Sequence, residues 1–171
     1  MALSGRVLLT GAWLIAGVVL LGAAHPGPSR NTEQDLQLRV QRETKPVKKA
    51  RYEIRLGRLK LIEAIDAFGK HDAPKARELL ATYLMHIRSA WQLLQGSGRN
   101  AFRNPEGFKQ LDIALREDGR FLDDLSHRLS YFERGEVDKT AKEIEQIRAE
   151  VIKELFPPES ARDKAGKNVQ H

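Results

Sequence analysis

Few side chains in this sequence have the types and spacing to do chemistry. The stretch "FGKHDAPKARELL" (68–80) sets His71 beside Asp72, the types a general base and its orienting carboxylate would need. The same stretch carries the signals of a helix-to-helix corner, with Gly69 to end one helix, Asp72 to cap the next and Pro74 in its first turn. A second stretch, "FERGEVDKTAKEI" (132–144), repeats the helical logic without the pair. At an offset of 64, Leu61, Ile65 and Phe68 fall on Leu125, Leu129 and Phe132. At 65, Ala76, Arg77, Glu78 and Leu79 fall on Ala141, Lys142, Glu143 and Ile144. His71 and Asp72 therefore read as part of a duplicated structural corner.

The remaining histidines offer little. His25, His71, His86, His127 and His171 show no zinc-protease spacing, so no metal site and no cofactor is expected. His86 and His127 stand beside apolar stripes on different helices. A site shared between them and nearby carboxylates is the basis of the alternative reading, a metal-binding or hydrolytic enzyme. No serine sits in a nucleophile elbow, and no glycine loop has phosphate-binding spacing. The paired carboxylates at 117–118 and 123–124 are expected on a solvated outer face. Trp91 shares a stripe with Ile87 and Leu94 and is expected to pack.

Two basic features stand out. From Arg39 to Lys60 nine Lys and Arg face only Glu43 and Glu53, and Arg51, Arg55 and Arg58 share a helix face. That face either binds an anion or pairs with acids of the third predicted helix, such as Asp112, Glu117, Asp123 and Asp124. The loop "SGRNAFRN" (97–104) carries Arg99 and Arg103 towards a helix N-terminus, a geometry suited to holding an anion. Arg51, Arg55, Arg58, Arg99 and Arg103 are thus the candidate anion- or surface-binding residues.

The elements that must position these residues are helical throughout. Apolar residues at 47, 50, 54, 61, 65 and 68, with Leu59 and Ile62 widening the stripe, give a first helix that Pro46 opens. Ala76, Leu79, Leu80, Tyr83, Leu84, Ile87, Trp91 and Leu94 trace the buried face of a second. Asn104-Pro105-Glu106 reads as the start of a third, with a stripe at 108, 111, 115, 122, 125, 129 and 132 closed by Gly135. Asp138 reads as the cap of a fourth, buried through Ala141, Ile144, Ile147, Val151 and Leu155 and stopped at Phe156-Pro157-Pro158. The expected fold is all-α, a four-helix antiparallel bundle over 44–156 built from two similar helical hairpins. Residues 25–43 are expected as a flexible leader and linker, and 157–171 as a disordered tail.

At 171 residues the chain suits one domain. Its first 24 residues place Arg6 before an uncharged run, Val7 to Leu21, then Gly22 and Ala24 at the −3 and −1 positions of a signal-peptidase site. The run reads as a cleaved signal peptide or, alternatively, as a membrane anchor over 7–24. Either implies export, to the periplasm or the exterior. There is no cysteine, hence no disulfide framework and no thiolate chemistry. Without residues 1–24, 28 Lys and Arg stand against 23 Asp and Glu, a mildly basic balance well short of a nucleic-acid binder's. The expected function is non-catalytic, the binding of a partner protein or an anionic envelope surface. Membrane contact is expected only through the N-terminal segment, if it stays uncleaved.

Overall fold

The structure, a computed structural model, describes residues 32–158, and these form five helices and no strand. The expected signal segment, the first part of the leader and the tail from 159 onwards lie outside the described residues. Among the described residues no helix is long and apolar enough to cross a membrane.

Part of the expected linker is a helix. In α1 (Glu33–Arg42) Thr32 Oγ1 accepts from the Asp35 backbone N–H, acids fill the first turn, and Arg39 and Arg42 fill the last, as the helix dipole favours. Its one buried side chain, Leu36, is fully enclosed, and Glu33 reaches Lys60 at 2.6 Å. A single apolar anchor leaves no periodicity to read, which is why this helix was not expected.

The long helices α2 (Pro46–Gly69) and α3 (Ala73–Gln95) make the most extensive contact in the fold. The predicted stripe of α3 is buried throughout. On α2 the expected stripe is buried at Val47, Ala50, Leu61 and Phe68 and half-buried at Ile54 and Ile65, but it widens on the side of Leu56, which is enclosed, and not towards Ile62, which is 55% exposed. Small residues set this orientation. A Cβ on Gly57 would lie 3.3 to 3.5 Å from Ile87, His86 and Tyr83, so α3 closes directly onto the α2 backbone there. The corner between the two helices is as expected, with Asp72 capping α3 through Lys75 N at 3.1 Å. His71 has φ 60°, the left-handed turn conformation.

Helix α4 (Phe108–Arg128) starts later than the Asn104-Pro105-Glu106 signals predict and ends before the predicted stripe does. Gly107, at φ 90°, breaks the helical conformation after Pro105. A Cβ at 107 would sit 2.6 Å from Leu94 Cδ2 and 3.0 Å from Val47 Cγ1, so this position has no room for a side chain. At the other end Leu129 turns extended, and Ser130, whose hydroxyl and backbone N–H both donate to the Glu133 carboxylate, turns the chain instead of continuing the stripe. Phe132, expected inside, is 91% exposed. Helix α5 (Gly135–Leu155) therefore begins before Asp138, which accepts from Ser126 Oγ at 2.5 Å rather than capping the helix. Val137, Thr140, Ile144, Ile147, Val151 and Leu155 form its buried face.

Helix α4 packs chiefly on α5, and α1 lies on α2. One contiguous apolar core joins α2 to α5, with further contacts of α3 to α5 and α2 to α4.

Candidate functional site

Of the three arginines on the α2 face, two are committed inside the molecule. Arg51 donates through Nε to Gln110 Oε1 at 2.6 Å and through Nη2 to Glu106. Arg58 Nη2 donates to Glu117 at 3.0 Å, and its Nε forms a 2.5 Å ion pair with Asp118 that is not aligned as a hydrogen bond. The guanidinium also lies 5.5 Å over the Phe121 ring. Arg55, between them, is exposed and forms no ion pair among the described residues. Of the other acids expected to face this helix, Asp112 instead holds Arg148 of α5 at 2.9 Å, Asp123 contacts His127 of its own helix, and at Asp124 it is the backbone carbonyl that accepts, from Arg128.

In the 97–107 loop, Arg99 lies 3.5 Å from Glu106, the carboxylate that Arg51 also holds. The chain thus supplies its own anion beside the start of α4. Arg103 donates its backbone N–H to Asn100 Oδ1 at 3.0 Å, closing the turn before Asn104.

Arg58 leads to a cluster that sequence reasoning placed on the surface. Asp118 is fully buried, accepts a hydrogen bond from Tyr83 Oη at 3.1 Å and faces Arg58. Burial disfavours its charge and raises its pKa to about 6; Arg58 and the Tyr83 hydroxyl oppose that rise. The Tyr83 hydroxyl is pushed well above 10, first by its own burial and then by the adjacent carboxylate. The signal was legible, because Asp118 continues the run 111, 115, 122, 125 at helical spacing. Close by, His86 Nδ1 lies 2.7 Å from Glu53 Oε2, tying α3 to α2.

His86 and His127 are not brought to a shared set of ligands. His127, 76% exposed near the end of α4, contacts Asp123, whereas His86 is held by Glu53. Among the described residues no group of three or more His, Cys, Asp or Glu is placed to hold a metal ion. Trp91 packs as expected, edge-on to Phe108 with ring centroids 6.2 Å apart, while its Nε1 donates to Glu150 of α5 at 3.0 Å. Arg88 grips Glu143 of the same helix through two hydrogen bonds, at 2.5 and 2.8 Å. Buried and half-buried polar groups thus serve chiefly to join helices.

No family model matches the chain, and neither a curated protein nor a solved structure matches it.

Proposed function

We propose that this chain is an exported, non-catalytic helical protein that binds an anionic surface of the cell envelope. One observation carries the reading. Around the start of α2 and the start of α4, Arg42, Lys45, Lys48, Arg55 and Lys109 are exposed and form no ion pair among the described residues. These ends adjoin, since Gly107 is packed against Val47 and Arg51 reaches Glu106 and Gln110. Clustered unpaired cations attract phosphate or carboxylate surfaces over roughly the Debye length, about 10 Å at 0.1 M salt. The contacts also support a finer architecture, an antiparallel four-helix bundle of two hairpins, α2–α3 and α4–α5, with α1 laid along α2. Export rests on the pattern of residues 1–24.

Co-sedimentation with anionic vesicles in excess of that with phosphatidylcholine vesicles, at low and physiological salt, tests the reading on the wild type and on K45E/K48E/R55E. Wild-type binding weakens with salt, and the triple variant loses most of it at unchanged thermal midpoint. Reversal of Arg51 and Arg58 lowers the midpoint, because each then faces an acid it now holds. An anionic excess that ignores salt, or survives the triple reversal, overturns the proposal. An acidic partner protein in place of the surface would show as no vesicle binding together with charge-dependent crosslinks in the native envelope.

A further inference from the structure

The most exposed aromatic side chains among the described residues lie at the end of the molecule opposite the basic cluster. Phe132 is 91% and Tyr131 75% exposed, adjacent in the 130–134 turn and packed edge to face at 5.7 Å. The turn is built rather than loose. Ser130 Oγ donates to Glu133 at 2.6 Å, the same carboxylate faces the Ser130 N–H at 3.4 Å, and these bonds hold Glu133 below the usual carboxylate range. The Arg134 guanidinium lies 5.2 Å over the Tyr131 ring. Two aromatics are therefore held outward on a preformed turn, flanked by Arg128 and Arg134.

The chain's own course points to what meets them. Phe68, Gly69 and His71 line one pocket with Leu125, Arg128 and Glu133, so the α2–α3 corner and this turn share an end. Helix α1 runs back along α2 towards that end: Val40 lies by Pro46, Lys49 and Glu53, whereas Glu33 pairs with Lys60. From Lys60 to Gly69 is about 14 Å at 1.5 Å per residue. Residues 25–32, extended, reach at most about 28 Å. The uncharged segment Val7–Ala24 therefore joins the fold on the side nearer the aromatic turn, since Lys48 at the basic end lies farther from Lys60, at about 18 Å. Charges at this end are largely balanced, with Lys70 on Asp66 at 2.6 Å and Arg134 4.0 Å from Asp138. A balanced rim around Tyr and Phe, with arginines able to extend to headgroups, suits the interface of a lipid bilayer.

We propose that in the anchored form, with residues 7–24 retained, this is the membrane-facing end, with Tyr131 and Phe132 seated in the interfacial layer of the bilayer. The inference goes beyond the anionic-surface reading and does not depend on it, since apolar seating persists on zwitterionic lipid and at high salt.

The test exploits the absence of cysteine. Gly135, where an added Cβ meets nothing within 4 Å, takes a single spin-labelled cysteine (G135C), and K48C serves as the opposite-end control, both in the full chain reconstituted into phosphatidylcholine vesicles. The label at 135 should be several-fold more accessible to lipid-dissolved oxygen than to an aqueous nickel complex, with the reverse at 48. Adding Y131S/F132S, both outside the core, should return the label at 135 to aqueous values. Equal aqueous accessibility at both sites, or a lipid signal unchanged in Y131S/F132S, overturns the proposal. So does a signal lost only because the double variant disperses an oligomer, which would make the turn a contact between copies. Loss of anionic binding in K45E/K48E/R55E leaves this outcome untouched, so the two proposals fail separately.

Discussion

Asp118 keeps a carboxylate where the fold disfavours its charge. Its pKa of about 6 exceeds the value near 3.9 of an unfolded aspartate, so the folded chain holds this proton more tightly. The stability it contributes is fully present below about pH 4 and is lost as the pH rises through about 6. Two pKa units correspond to roughly 3 kcal/mol. Asp118→Asn is neutral at every pH, and its amide oxygen still accepts from Tyr83. Relative to that variant, the wild type should therefore lose roughly 2–3 kcal/mol of unfolding free energy between about pH 4 and pH 7. Urea titrations of both proteins across that range measure it, and a constant gap would mean that Asp118 is ionised throughout. Asp118 was readable as a stripe position, but charged residues are so rarely enclosed that its type outweighed its spacing. The Arg51 and Arg58 pairings were half legible. Glu117 is among the expected partners, but Glu106 is not, because the sequence puts it in the first turn of a helix that in fact starts after Gly107.

Element identity came through the sequence better than element ends. Period, caps and glycines located four of the five helices, and the Asp72 corner appears as read. The errors cluster where one local bond overrides a continuing stripe. The Ser130–Glu133 turn diverts the chain before Phe132, and so breaks the Phe68–Phe132 correspondence. Helix α1 was missed because its stability comes from one docked side chain, not from a face. That dependence is testable. Removing buried methyl groups in Leu→Ala substitutions costs about 2–5 kcal/mol, enough to release an element with one anchor. In Leu36→Ala, hydrogen exchange should accelerate across Glu33–Arg42 while the amides of α2 to α5 keep their protection. A uniform loss over all helices would instead make α1 integral to the core.

Over the whole molecule, α2 and α3 do not form a unit separate from α4 and α5. One core runs through both, and polar contacts cross between them at Arg51–Glu106, Arg58–Asp118, Arg88–Glu143 and Trp91–Glu150. With no disulfide to hold either half alone, each needs the other to cover its apolar face. Scanning calorimetry should accordingly show one transition whose calorimetric and van't Hoff enthalpies agree, with or without reductant. Two resolved transitions would mean that the halves fold independently.

Trp91 sits where that union is made. Its indole is enclosed by the core, its ring edge meets Phe108 at the start of α4, and its N–H is bound by Glu150 of α5. The chain's other tryptophan, Trp13, falls in the N-terminal apolar run. The protein therefore carries a built-in optical reporter: separation of α4 and α5 from α3 would wet the indole and shift its emission to the red, whereas undocking of α1 alone would leave the colour unchanged.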